Sequence, residues 1–585
     1  MRHRAPTTAP LRPVRRWRPL AALLALGLMG SVANYSQPAL EQGAPDPLLT
    51  LVETELTRFM GALQDRPEAP YWAGIGVVDI DIIDVEATHG SASLVRRRTE
   101  RIGDVDVRVG TPQLDNTHKL RDAGWFSEEM RPNVDLPVSL VPARGFSQGL
   151  WAALDESYRS GVRRLIKVRT NQSVKVTRED QSGDFSAAPV IVDLAAYTPL
   201  IVDGADWQER VRAASHAVLR YPHVTDSNVS IRAQDDLSWF VSSDGTRLRQ
   251  QRTRLRAAVW AGGVAEDGMN LQVYDWLDTT TPDRLPDATS LVAMADGAAA
   301  RVEELRRAPL VDPYIGPAIL RGRAAAVFFH EVLGHRVEGH RQKDEDEGQT
   351  FTDKIGELVL PTFLSVVDDP TLARAGDIDL NGTYRYDDEG VAAQRVTLVD
   401  KGVFRGFLMG RSPIEGFAVS NGHGRRQPGA APVSRQANLV VEASKTVTYD
   451  ELRRRLVELM VKQGKPWGLV FDDISGGFTF TGRVTPNAFN VRPVTVWRVY
   501  ADGRPDELVR GVDLIGTPLT TFSRVLAASD TPDVFNGMCG AESGWVPVSA
   551  VAPDLLISEV EVQRSEKGND RPPLLSPPGA PGPPT

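Results

Sequence analysis

His330, Glu331 and His335 stand close together in the run Phe328-Phe329-His330-Glu331-Val332-Leu333-Gly334-His335-Arg336-Val337-Glu338-Gly339-His340, which holds three of the nine histidines of the chain. Imidazoles ligate divalent transition metals, and a carboxylate beside such a metal can take a proton from water, so these residue types are the parts of metal-assisted hydrolysis. Spacing decides whether they can meet. The common zinc-peptidase signature puts its histidines at i and i+4, about 400° apart around an α-helix, so both face one ion. Here the second is at i+5, which on a regular α-helix turns His335 roughly 140° away from His330. A π-bulge would realign the two, and Gly334, just before His335, gives the backbone freedom either to form one or to end the helix there. Glu331 then lies beside the metal as general base. The alternative is two helix histidines that never meet.

The lone cysteine, Cys539, is the next candidate. A chain with one cysteine has no intrachain disulfide, so Cys539 is buried, free, paired with another chain or bound to something. Its setting, Asn536-Gly537-Met538-Cys539-Gly540, places glycine on both sides and predicts a tight backbone turn that brings a thiolate close to a ligand; burial is the plainer reading and metal ligation the sharper one. His340 is a rival third ligand. It falls where the last histidine of the long metzincin motif would be, but that motif needs its second histidine at i+4, and Gly339 comes too late for its glycine.

The elements that must position these residues can be read from the flanking pattern. Residues 324–329 form a small apolar run, read as a buried helix that delivers the histidines to an interior site. After an acidic linker at 343–347 come β-rich runs at 357–368, 384–386, 395–400, 403–409, 438–442, 468–475, 490–500, 507–514 and 555–562. One helix at 450–462 interrupts them, with Leu452, Leu456 and Leu459 at core spacing. Upstream, 48–63, 147–166 and 207–219 have helical periodicity and 72–86 and 96–109 read as strands. Three further β-rich runs, 227–233, 237–242 and 248–260, follow, the last two joined by the turn Ser243-Asp244-Gly245-Thr246. His216 and His223 lie in this half without a partner at ligand spacing and read as structural.

A chain of 585 residues is too long for one core. The expected fold class is therefore α+β in two domains: an N-terminal α+β domain over 34–310 and a mostly-β C-terminal domain over 311–565 built around the histidine helix. Before them, a run of arginines from Arg2 to Arg18, the apolar stretch 20–30 and Ser31-Val32-Ala33 have the pattern of a signal peptide over 1–33. The expectation is export to a periplasmic or extracellular location, with an N-terminal membrane anchor if the signal is not cleaved. Arg15-Arg16 hints at the twin-arginine route. The proline-rich tail 566–585 has no means of packing a core and is expected to be disordered. A net charge of −9 argues against nucleic acid as a bulk electrostatic partner. Asp377-Ile378-Asp379-Leu380-Asn381-Gly382 imitates the first half of a calcium loop, but no helix flanks it, and it reads as an acidic β-turn.

Five stretches, taken in order and spacing, resemble the TldD/PmbA metallopeptidases: His330-Glu331-Val332-Leu333-Gly334-His335 with Glu338-Gly339; Ile355-Gly356-Glu357-Leu358-Val359; Asp387-Asp388-Glu389-Gly390; Asn421-Gly422-His423-Gly424-Arg425-Arg426; and Gly537-Met538-Cys539-Gly540. The resemblance runs from about residue 316 to 562. It implies a metal held by His330, His335 and Cys539, with zinc first among divalent ions, and Glu331 in catalysis. It also implies a TldD-like, metal-binding member acting on extended or unfolded peptides, as a homodimer or with a PmbA-like partner chain. Two departures stand out: Ala541 where a lysine commonly follows the second glycine, and His423 inside the usual glycine-asparagine-glycine-arginine run. Two other classes stay open, a metal-stabilised peptide-binding or scaffold protein and a hydrolase of another amide or ester.

Overall fold

The computed structural model describes residues 38–120, 133–172, 180–343, 347, 349–479, 489–516, 518–565, 575 and 578. The expected signal segment, most of the acidic linker and all but two residues of the tail lie outside the described residues. Two large sheets carry the chain, and the fold is α+β.

The first sheet is eight-stranded and almost wholly antiparallel. Its long members are Pro70–Thr88, Ser91–Thr111, Val224–Ser242, Arg247–Val264 and Asn270–Thr279. Alternation explains their two faces. Ala73, Ile75 and Val77 pack beneath the helices Pro47–Leu63 and Arg144–Gln172, while Ile83, Val85 and Ala87 pack beneath Gly204–Ala217 and Ala288–Arg307. The opposite face, bearing Gly76, Val78, Ile80 and Ile82, carries no helix among the described residues and floors a cavity. The runs 227–233 and 237–242 prove to be one strand, Val224–Ser242. The polar stretch Gln234-Asp235-Asp236 looks like a break but is satisfied within the sheet, Asp235 accepting from Gln251 and Thr253 and Asp236 from Arg254. The turn after it forms as the sequence predicts, with Gly245 at φ 104°.

The second sheet is mixed and eleven-stranded, drawn from residues after 313. Residue 310 lies in the connection between the helix Ala288–Arg307 and the strand Tyr314–Leu320. Several expected strands are shorter than read: 357–368 reduces to Leu364–Asp368, 403–409 to Val403–Phe404, and Tyr386 makes only an isolated bridge. Gly511, at φ 71°, divides 507–514 into Glu507–Val509 and Val512–Gly516. Among the elements missing from the sequence reading are the helix Ala288–Arg307 and the strand Val525–Ala541, the latter forming a hairpin with Gly544–Arg564. Against this hairpin and the strand Trp467–Thr479 lies the histidine helix Gly322–Val332, with Phe328 and Phe329 fully buried beside Phe522. Truncating either ring to alanine costs about 3–5 kcal/mol. Among the described residues no helix is long and apolar enough to cross a membrane.

Asp473 of that neighbouring strand shows how the halves are tied. Arg323 of the histidine helix reaches both Asp473, at 3.4 Å, and Asp275 of the first sheet, at 3.9 Å. Burial pushes the Asp473 carboxyl up to about 6, against the attraction of Arg323. A raised carboxyl stabilises the fold fully below its unfolded pKa, and that contribution is lost as pH rises through about 6. The shift corresponds to roughly 3 kcal/mol, discounted to roughly 1–2 because the side chain is still 26% exposed. Asp473→Asn should therefore gain stability relative to the wild type at pH 8 and lose that advantage at pH 4.5. Urea midpoints at the two pH values check this; a pH-independent difference would rule it out.

Candidate metal centre

Why the histidine helix starts where it does is settled by the hairpin. Arg321 offers no side-chain cap, and the first free backbone donor, Gly322 N, is taken by Asp554 of Gly544–Arg564 at 2.7 Å. That carboxylate satisfies an orphan amide and sits at the positive end of the helix dipole. A side chain at Gly322 would collide with Asp533 and Ala552, so helix and hairpin approach as closely as backbone allows.

The helix ends before the second histidine. Its last residue is Val332, Leu333 turns at φ −101°, and a 3-10 turn, Gly334–Val337, carries His335. The i+5 spacing is accommodated by ending the helix, with no π-bulge. Arg336 closes the end, its Nη1 donating to the carbonyls of Glu331 and Val332 at 2.9 and 3.1 Å. Gly334 is needed for space rather than for an unusual φ. A Cβ there would lie 1.7 Å from Gln436 Oε1, and Gln436 in turn donates to His330 O at 3.3 Å. Gly334→Ala should destabilise the chain by about 1–3 kcal/mol and displace His335. Denaturation midpoints together with zinc affinity would reveal both effects, and unchanged values would refute the packing argument.

Cys539 reaches the same point from Val525–Ala541. It pairs with Val546 and is buried. The expected glycine turn is not there: Gly537 and Gly540 are strand residues whose missing side chains leave room for the rings of Phe535 and Trp545. The hairpin turns later, at Gly544, with φ 78°.

The three candidate ligands thus converge. Cys539 Sγ lies 3.2 Å from His330 Nε2 and 3.4 Å from His335 Nε2, and the three ligand atoms all lie within 4.8 Å of one another. A tetrahedral zinc with ordinary Zn–S and Zn–N bonds requires N···S edges of roughly 3.5 Å, so the trio fits that ion. His335 Nδ1 faces Glu338 Oε2 at 3.2 Å, which leaves Nε2 for the metal side. Among the described residues no fourth histidine, cysteine or carboxylate joins the group. His340, the rival ligand, is held away by an ion pair with Glu542.

The electrostatics suit a cation. Burial alone would raise the Cys539 thiol, but the charges of His335, His330 and Arg435 overcome it and hold the thiol well below its usual range. Burial opposes charge on His335, but the Cys539 thiolate and Glu338 raise it well above an ordinary imidazole. Glu331, one residue from His330, is buried, and burial raises its carboxyl. Its carboxylate makes no hydrogen bond to a described residue, so it is uncommitted and close to the trio.

Other sequence candidates go elsewhere. His223 pairs with Glu303 at 2.9 Å, and His216 packs against Gly90. His423 is fully buried, with Nε2 at 3.2 Å from Asp368 and Nδ1 against Asn421. The calcium-like stretch is a two-residue hairpin, Arg374–Ala375 with Ile378–Asp379; Asp379 is bound by Thr279, Thr280 and Arg284, and Asp388 by Arg252. Sequence reasoning missed Glu338 as a histidine partner, Gln436 and the fully buried Arg435. Only the Glu338-Gly339 pair carried a signal, through its fixed distance from His335.

Beside the centre lies a cavity of about 290 Å³, between the helix-free face of the first sheet and the cysteine hairpin. Met538 and Trp545 line it together with Phe240, Asp388, Arg252 and Arg426. Met538 is 45% and Trp545 60% exposed. Because Met538 alternates with Cys539, the hairpin separates this cavity from the buried trio by one strand's thickness.

The sequence of residues 314–564 matches the PmbA/TldA metallopeptidase C-terminal domain. A metalloprotease of Methanothermobacter thermautotrophicus is 26% identical over 476 residues, covering 79% of this chain and 96% of the relative. A metalloprotease TldD homolog of Haemophilus influenzae is 29% identical over 250 residues, covering 42% of this chain and 48% of that protein. In fold, TldE from Thermococcus kodakarensis superposes with a TM-score of 0.58 at 14% identity, over 88% of this chain and 100% of that one.

Proposed function

We propose that this chain is a member of the TldD/PmbA family of metallopeptidases and a zinc-dependent peptidase of extended or unfolded polypeptides. The observation that carries the reading is the convergence of His330, His335 and Cys539 beside an uncommitted Glu331. Zinc held by that trio would supply a Lewis acid for the scissile carbonyl and lower the pKa of a water from about 15.7 to about 7. Glu331 accepts the proton of the attacking water on its carboxylate and passes it to the nitrogen of the departing amine. Burial favours the first step, since a raised carboxyl is a stronger base toward the proton of the attacking water than an exposed glutamate. Glu338 fixes the tautomer of His335. The cavity on the far side of the cysteine hairpin, with apolar Met538, Trp545 and Phe240 among paired charges, suits side chains of an extended peptide remote from the scissile bond.

The remaining parts of the reading rest on the resemblance and on sequence. The protein acts as a homodimer or with a PmbA-like chain, after export and signal removal near Asn34. Light scattering of the purified chain and N-terminal sequencing of the protein from fractionated cells test these. The test of function is elemental analysis joined to cleavage of an unfolded polypeptide such as reduced casein. About one zinc per chain with chelator-sensitive cleavage supports the reading. Zinc without cleavage of any peptide would favour a metal-stabilised binding protein, and cleavage of esters alone a different hydrolase.

A further inference from the structure

Cys539 lies on Val525–Ala541, which among the described residues ladders with Gly544–Arg564 and otherwise makes a single bridge, Ser529 with Val447. The Cys539 carbonyl finds its donor in Arg435. That guanidinium is fully buried, with Nη2 donating to Cys539 O at 2.8 Å and Nη1 to Ser543 Oγ at 2.9 Å and to Gly544 O at 3.2 Å. Its Nε lies 3.3 Å from Glu338 Oε1, an ion-pair contact without hydrogen-bond geometry. Glu338, also fully buried, takes His335 Nδ1 on its other oxygen. One arginine therefore spans the strand that brings Cys539 and the carboxylate that orients His335.

Arg341 lies parallel to it. Its Nε donates to Glu338 Oε2 at 3.0 Å and its Nη2 to Glu542 Oε2 at 3.0 Å, and Glu542, at the tip of the same hairpin, also pairs with His340. Burying this many charges is costly unless each is matched. The geometry matches them by joining the histidine loop to the cysteine hairpin.

We propose that Arg435 is the positioning residue of the metal centre: by clamping the cysteine hairpin to Glu338 it holds Cys539 in register with His330 and His335, with Arg341 and Glu542 as the outer brace. The proposal rests on the reading of the trio as a metal site and extends it to the residues that keep the site assembled. Without the clamp the two histidines remain in place, being fixed by their own loop. Only the cysteine is released.

Cobalt is the probe, because its thiolate charge-transfer band reports Cys539 separately from the d–d bands that report the whole ligand set. The full chain is loaded with Co²⁺ as wild type, Arg435→Gln, Arg435→Lys and Glu542→Gln. Zinc affinity is measured in parallel by chelator competition, and the metal-free melting temperature of each variant is recorded. Arg435→Gln is expected to weaken the thiolate band more than the d–d bands and to lower zinc affinity about 10- to 100-fold. Lysine should restore part of the band, since an ammonium reaches one carbonyl but cannot span all three acceptors and the Glu338 carboxylate, and Glu542→Gln should lower affinity a few-fold. If the glutamine variant does not fold, the lysine variant carries the same comparison of bands. A thiolate band and a zinc affinity within twofold of the wild type would overturn the proposal. So would a parallel fall of all cobalt bands, which would make Arg435 a support of the fold rather than of Cys539. A wild-type chain that takes up neither ion would remove the metal reading itself, an outcome separable from the others because it appears before any variant is made.

Discussion

Glu331→Gln should keep the metal and lose hydrolysis, with kcat lowered about 10²- to 10⁴-fold, the range that a positioned proton-transfer group contributes. Glutamine has nearly the same shape and also fits beside His330, so metal content and melting temperature should stay at wild-type values. The amide cannot accept the proton of the attacking water or return one to the amine. Burial sharpens the expectation, because the raised carboxyl is the stronger base toward the proton of the attacking water. Single-turnover cleavage by the zinc-loaded variant decides the matter, and wild-type cleavage at full zinc occupancy would exclude Glu331 as the base.

How much of this centre could be read beforehand depends on the kind of residue. The helix at 324–329 was legible because an apolar run ending in two histidines has few other uses. The end of that helix was legible only as one of two options. The choice between a π-bulge and a break is made by Gln436, a residue some hundred positions away whose side chain fills the space where a Cβ of Gly334 would stand. The strand of Cys539 was not legible. Gly537, Gly540 and Pro532 interrupt its pattern like turn residues, and only the pairing with Gly544–Arg564, itself containing Pro547 and Pro553, shows that they lie in a ladder with a register shift near Pro532. Arg435 and Glu338 were hidden for a different reason. Charged residues read as surface in a sequence, and these are buried only because their partners arrive from three separate segments. The long strand Val224–Ser242 was split by the same habit, its Asp235 and Asp236 being matched by residues of the next strand. Local pattern thus located the three side chains that converge and not the residues that hold them together.

Cys539→Ala should cost the site most of its metal, while His340→Ala should cost none. Structural zinc binding is worth about 10–16 kcal/mol over a full ligand set, or roughly 3–4 kcal/mol per ligand, so removing the thiolate should weaken zinc affinity by about 10²- to 10³-fold. His340 lies outside the trio and is paired with Glu542, so its loss should leave stoichiometry near one per chain. The pH dependence separates the thiolate's two effects. In the metal-free chain Cys539 raises both histidines against the opposing effect of burial, so protons compete with zinc well above the ordinary imidazole range. Wild-type affinity should therefore keep climbing as pH rises through that range. In Cys539→Ala the cause of the shift is gone, and the weaker affinity should level off at lower pH, set by burial and Glu338 alone. Chelator competition from pH 6 to 9 measures both curves. Parallel curves would mean that the thiolate does not set the charge of the histidines, and equal affinities would mean that Cys539 is not a ligand.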